Sequence, residues 1–301
     1  MTAVVVSSEA RKGGVGKTTN AFHMAVRLAE MTRPRGKNVL FVGLDPQGDA
    51  YRVLGFDHPP VNGISDLMME EAGYKDAIVS ADLSKVDPRL PKRPNLLYLA
   101  ASDALTRTVK QLDDGAAALQ QGLKDGSLPK PLRTMLEQTG VRDATAAFLE
   151  VMEPLRQNSR IAYIVLDCPP SIGPLQTAVH QFADFAVVPV IPGDQNVTMT
   201  FEHTQQIAQD RSQGCKIRIL AIQPLRVDMQ KQVHQFSMQQ LQEVYGDLLM
   251  TPIPTRTAIQ KGVSYGGYSA WDIMDIDKSV EPVALAYDEL IELVMKQRVK
   301  A

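Results

Sequence analysis

Cysteine is scarce, with Cys168 and Cys215 the only two in 301 residues. Two cannot build a disulfide framework, and neither stands in a C-x-x-C pair or at a Cys/His spacing that would hold a metal, so a reducing compartment is expected. An excess of charge is missing as well: 32 Lys and Arg face 34 Asp and Glu, for a formal charge of −2. Any contact with a polyanion must then come from a local patch and not from the whole molecule. No apolar run approaches the ~20 residues that cross a bilayer, and no basic stretch leads into an apolar one at the N-terminus. These absences predict a cytoplasmic protein, neither secreted nor membrane-spanning. What is there, 44% hydrophobic and 22% charged residues, is the balance of an ordinary globular chain. A length of 301 residues admits one or two domains, and one domain over 1–301 is expected.

The chain is organised around Lys12 to Thr19, KGGVGKTT. Ala3 to Ser7 (AVVVS) ahead of it is a β-branched run suited to a buried parallel strand, and Ala21, Ala25, Leu28 and Ala29 behind it recur at helical spacing. Strand, glycine loop and helix are the order in which backbone N–H groups and a helix N-terminus cradle phosphate oxygens. In the pattern G-x-x-x-x-G-K-[ST] the first glycine would fall on Arg11, so the register is incomplete; Gly13, Gly14 and Gly16 supply the flexible backbone instead. Lys17 is placed to reach the β- and γ-phosphates, and the Thr18 hydroxyl to reach Mg²⁺.

With a second lysine at its head, this stretch resembles the deviant Walker A motif of the ParA/MinD family of P-loop ATPases. The resemblance implies ATP and Mg²⁺ as cofactors and a phosphate site made by Lys12, Gly13, Gly14, Val15, Gly16, Lys17, Thr18 and Thr19. It further implies that Lys12 is catalytic, reaching across a nucleotide-sandwiched homodimer to the ATP of the partner.

A second apolar run, Asn38 to Leu44, ends at Asp45-Pro46-Gln47-Gly48. An acid at a strand's carboxyl end lies beside the ligand in a parallel sheet. DPQG also resembles the switch I segment of the family, which makes Asp45 a catalytic residue that positions water and joins the Mg²⁺ shell. Relatives often carry another Asp two residues earlier, where this chain has Gly43. Ile161 to Cys168 (IAYIVLDC) is a nearly all-apolar strand ending in Asp167, the Walker B arrangement for orienting Mg²⁺. Asp167 to Ser171, DCPPS, resembles switch II. Asn95 to Ala101, Phe185 to Ile191 and Ile217 to Ile222 supply further strands, and 197–210 and 281–299 read as helices, the latter with Leu285, Leu290, Leu293 and Val294 on one face. The resemblance places Pro224 and Pro254 at the nucleotide base, although Thr255 stands where relatives usually have arginine.

The alternation of strand and helix predicts an α/β fold, a mostly parallel twisted sheet with helices on both faces. Residues 105–157 are read as an added helical segment. No helix-turn-helix precedes the first strand. The resemblance implies a ParA-like ATPase that forms an ATP-bound homodimer, binds DNA non-specifically and associates with the nucleoid. A ParB-like or other adaptor would stimulate its weak hydrolysis, and the cargo would be a plasmid, chromosome or protein assembly. The cations proposed to meet DNA phosphates are Arg211, Lys216, Arg218, Arg226, Lys231, Arg256 and Lys261. The alternatives are a MinD-like membrane cycler, whose basic amphipathic tail would need bulky apolar wedges, and a metabolic P-loop enzyme such as an amide ligase. The end of the chain, LVMKQRVKA, has no such wedge after Met295, so no stable membrane association is expected.

Overall fold

The computed structural model describes residues 2–47, 50–170, 173–264 and 266–300. The strands are β1 (Val4–Ser8), β2 (Asn38–Gly43), β3 (Ile78–Ser80), β4 (Leu96–Leu99), β5 (Ile161–Asp167), β6 (Phe185–Val190) and β7 (Arg218–Pro224). The helices of the first half are α1 (Lys17–Thr32), α2 (Ala50–Val53), α3 (Ile64–Met68), α4 (Tyr74–Ala77), α5 (Ala104–Asp125) and α6 (Lys130–Thr139). Those of the second half are α7 (Ala144–Gln157), α8 (Pro174–Phe182), α9 (Asp194–Ser212), α10 (Gln232–Tyr245), α11 (Thr257–Ser264), α12 (Ala270–Met274) and α13 (Glu281–Lys300).

The strands form one sheet in the order β3-β4-β2-β5-β1-β6-β7. Every pairing is parallel except β3 with β4. β1 and β5 are buried along their whole length, as expected of strands covered on both faces, where apolar residues run continuously instead of alternating. On one face α1, α12 and α13 pack through Phe22, Leu28, Trp271, Tyr287 and Leu290. On the other, α3, α7, α8 and α9 contribute Met68, Phe148, Met152, Phe182 and Ile207. β1 lies between β5 and β6, so the loop that follows it emerges at mid-sheet, at the carboxyl end where ligands bind in such sheets.

The fold differs from expectation in three places. β3 is a short, partly exposed antiparallel edge strand, too brief to carry a periodic signal. The segment 105–157 divides: α7 is an ordinary crossover helix with Ala147, Phe148, Val151 and Met152 in the core, whereas α5 joins the core only through Leu105, Val109 and Leu112. From Asp113 to Asp143 no residue belongs to either apolar cluster. There α5 and α6 form a hairpin that turns at Gly126 (φ 75°) and closes with Leu128 against Gly122, where a Cβ would lie 2.8 Å from Leu128 Cγ. Leu285 of α13 is 60% exposed while Leu290 and Val294 are buried; at 100° per residue, five positions carry Leu285 well off the buried stripe. Among the described residues no helix is long and apolar enough to cross a membrane.

Candidate functional site

Gly16 caps α1 in the left-handed region (φ 93°, ψ 22°), a conformation that favours glycine, and a Cβ there would press on Leu225 Cδ1 at 2.8 Å. Gly14 (φ 75°) shares that backbone, and around Gly13 and Gly14 nothing lies within 4 Å of a built Cβ. The loop is thus open on its ligand side. No side chain caps α1 and no acid occupies its first turn, which leaves the N-terminal N–H groups for an incoming anion. Arg11, in place of the pattern's first glycine, turns away to α9, with Nη1 3.3 Å from Glu202 Oε2 and Nη2 3.5 Å from Gln206 Oε1.

Lys17 is 6% exposed, and its ammonium donates to the Lys12 carbonyl at 3.2 Å. Burial lowers its pKa, and the nearby Asp167, Asp45 and Cys168 offset that only in part. Asp167, at the tip of β5, is fully buried, and neither of its carboxylate oxygens has a hydrogen-bond partner. Burial pushes its pKa up to about 7; Thr18 and Lys17 pull it down, without a hydrogen bond of good geometry, and Asp45 pushes it further up. An orphaned carboxylate beside a threonine hydroxyl and a second carboxylate fits a hard cation. No group of three or more His, Cys, Asp or Glu able to hold a metal exists among the described residues. A cation here would draw its other ligands from phosphate and water, as Mg²⁺ commonly does.

The Asp167 shift has a measurable consequence in metal-free protein. Between about pH 4 and pH 7 the native state holds a proton that the unfolded chain has released, so stability falls as pH rises through that window. The deficit is complete above it, at roughly 4 kcal/mol as an upper figure. Asp167→Asn should therefore raise the melting temperature at pH 8 in chelator and leave it nearly unchanged at pH 4. Equal shifts at both pH values would refute the assignment.

Asp45 accepts from the Gln47 amide at 3.0 Å in a local turn and remains near enough to raise the Asp167 pKa. Two residues earlier, a Cβ on Gly43 would lie 3.1 Å from Ala50 Cβ and 3.3 Å from the Tyr98 hydroxyl, so a side chain there would need these neighbours to give way. Gly48 of the first switch segment and Ser171 of the second lie outside the described residues.

A cavity of about 180 Å³ opens from Gly16 and Thr19 and is walled by Leu225, Arg226, Ile253, Pro254, Thr255, Arg256, Ile259, Gln260, Val283 and Tyr287. Pro254 lines it. Pro224 does not: it is buried as the last residue of β7, with its carbonyl accepting from Ile253 N at 2.9 Å. Leu225 and Arg226, the latter with φ 55°, occupy the wall instead. Sequence reasoning named Arg226 only as a contact to DNA phosphates and did not single out Leu225 or Tyr287, because the wall combines segments distant in sequence and none carries a motif.

The proposed DNA-contacting cations do not share one face. Arg218 begins β7, at the end of the sheet away from the loop, stacked 5.0 Å over the Phe185 ring. Lys216, 5.8 Å over Phe182, and Arg211, in the last turn of α9, lie with it. Arg226 and Arg256 line the cavity at the opposite end; Lys261 is on α11, and Lys231 sits before α10, 3.7 Å from Asp228.

Polar links from α9 and α8 hold the front of the loop, and nothing in the sequence announced them. Lys12 Nζ lies 2.6 Å from Asn196 Oδ1. His180, fully buried, is 3.0 Å from Glu9 Oε2 through Nε2 and 2.5 Å from Asp210 Oδ2 through Nδ1. Burial alone would lower its pKa, but the two carboxylates raise it, and an imidazole facing an acceptor on each side is favoured in its doubly protonated form.

A family model described as an AAA domain matches residues 3–123. Similar proteins include the sporulation initiation inhibitor protein Soj of Bacillus subtilis, 28% identical over 187 residues, 62% of this chain but only 57% of that protein. The chromosome partitioning protein ParA of Caulobacter vibrioides is 26% identical over 263 residues, 85% of this chain and 82% of that one. Among solved structures, the ATP complex of a Cyanothece McdA variant superposes with a TM-score of 0.67 at 19% identity, covering 95% of this chain and 96% of that one. At that identity the likeness speaks to the fold alone.

Proposed function

We propose that this chain, a member of the ParA/MinD family of P-loop ATPases, works as a partition-type ATPase: it binds Mg-ATP, pairs face to face with a second copy around the nucleotide, and in that state binds duplex DNA without sequence preference. Hydrolysis, stimulated by an adaptor, releases the DNA, and repeated cycles position a cargo. The observation that carries the reading is the convergence of Lys17, Thr18 and the unsatisfied Asp167 carboxylate at the carboxyl ends of β1 and β5. Lys17 and the first-turn N–H groups would hold the phosphates. Mg²⁺, when bound, neutralises charge on the phosphate oxygens, with Thr18 and Asp167 oriented to receive it and Asp45 at its edge. The base would enter the cavity behind Gly16 and Thr19.

Membrane cycling is the competing reading. Against it, α13 spends Leu290, Ile291 and Val294 on the core, so those side chains cannot also insert into lipid. A near-neutral monomer with separated cations should bind duplex poorly, whereas two-fold pairing doubles the charges and makes their engagement effectively intramolecular. Gel-shift titration should show DNA binding only with ATP, indifferent to sequence and falling steeply with salt. An ATP-bound dimer that leaves duplex unshifted at low salt but pellets with anionic liposomes would establish the membrane reading instead.

A further inference from the structure

The front of the phosphate loop is held chiefly by α9, with His180 of α8 as a relay. α9 takes Arg11 on Glu202 and Gln206 at 3.3 and 3.5 Å. Through Asp210 and the buried His180 it also anchors Glu9. Lys12 completes the series: its ammonium donates to Asn196 Oδ1 at 2.6 Å, and the Asn196 amide is itself oriented by donating to the Ile191 carbonyl at 2.8 Å. A second restraint acts on the Lys12 backbone, whose carbonyl accepts from Lys17 Nζ at 3.2 Å. Beyond Lys12 these restraints stop. Gly13 and Gly14 have open space around a built Cβ and Gly14 is left-handed (φ 75°), so no packing there opposes a change of backbone conformation, while Arg11 is held to α9.

We propose that Asn196 is a positioning residue that parks the Lys12 ammonium on its own subunit, and that Lys12 must leave Asn196 before it can reach the nucleotide of a partner subunit. The proposal rests on the reading of Lys12 as a residue that acts in trans. Phosphate binding removes the first restraint, because the Lys17 ammonium exchanges a neutral carbonyl for anionic oxygens, a stronger partner. The Asn196 bond remains, and only the phosphates presented by a second ATP-bound copy compete for Lys12. Two successive releases, one by a subunit's own nucleotide and one by its partner's, would keep the monomer from pairing until both sites are filled.

The test uses Asn196→Ala and Asn196→Asp in the full chain. ATP-driven dimerisation is followed by stopped-flow light scattering, nucleotide affinity of the monomer by a fluorescent ATP analogue, and folding by thermal melting. Asn196→Ala should speed pairing by roughly tenfold, as expected for loss of one charge-assisted hydrogen bond. Asn196→Asp puts an anion opposite the ammonium and should slow pairing by a similar factor. Nucleotide affinity should be unchanged in both. A merely structural role would move both variants in the same direction, so any pattern other than opposite signs overturns the proposal. Lys12→Ala, made alongside, separates it from its premise. Wild-type hydrolysis in that protein would remove the trans role altogether, whereas an inactive Lys12→Ala with unresponsive Asn196 variants would remove the parking role alone.

Discussion

Lys17→Ala should fold normally and bind ATP about a hundredfold more weakly, or worse. The magnitude follows from truncating one partner of a desolvated, hydrogen-bonded charge pair, which costs roughly 2–5 kcal/mol. That the fold should survive follows from the burial itself. Lys17 is 6% exposed and its pKa is depressed, so the apo protein spends stability to keep a cation there, and the hydrogen bond its ammonium makes, to the Lys12 carbonyl, is not part of the sheet or of α1. Calorimetric titration with ATP, accompanied by circular dichroism, checks both halves of the expectation; a folded Lys17→Ala protein with wild-type affinity would disprove the loop assignment.

Lys12→Ala should show the reverse pattern, ordinary ATP affinity with hydrolysis reduced by about a thousandfold. A cation delivered to the transferring phosphoryl group stabilises charge that exists only in the transition state, and contributions of this kind reach roughly 10³–10⁵ in rate. In the structure Lys12 faces Asn196 and lies outside the wall of the cavity behind Gly16 and Thr19, so its removal should leave the cis contacts to nucleotide in place. Single-turnover hydrolysis at saturating ATP measures the loss. Turnover equal to wild type would remove Lys12 from the chemistry.

The loop and Asp167 were legible in the sequence because their signals are local. A β-branched strand, three glycines and a helix follow one another without interruption from Val4 to Thr32, and Asp167 closes a seven-residue buried strand. Local signals also fixed the parallel sheet. The cavity behind the loop was less legible, since residues near 16, 225, 254 and 287 meet in it, and Pro224 stands one position short of its wall. The links to α9 were invisible: Lys12 and Asn196 are 184 residues apart, and Glu9 and His180 171 apart, with no spacing that marks either pair. The placement of the cations was hidden for a related reason. Arg218 and Arg226 are close in sequence, but β7 runs between them and carries them to opposite ends of the sheet.

The tight packing at Gly43 bears on how this chain could change over generations. An aspartate there would bring a Cβ to 3.1 Å from Ala50 Cβ and 3.3 Å from the Tyr98 hydroxyl, inside a well-packed interior where such crowding costs about 1–3 kcal/mol. Gaining the acid that resembling chains often carry is therefore conditional on history. A lineage in which position 50 or 98 had first become smaller, as in Ala50→Gly or Tyr98→Phe, would take the step at a lower cost than this chain would.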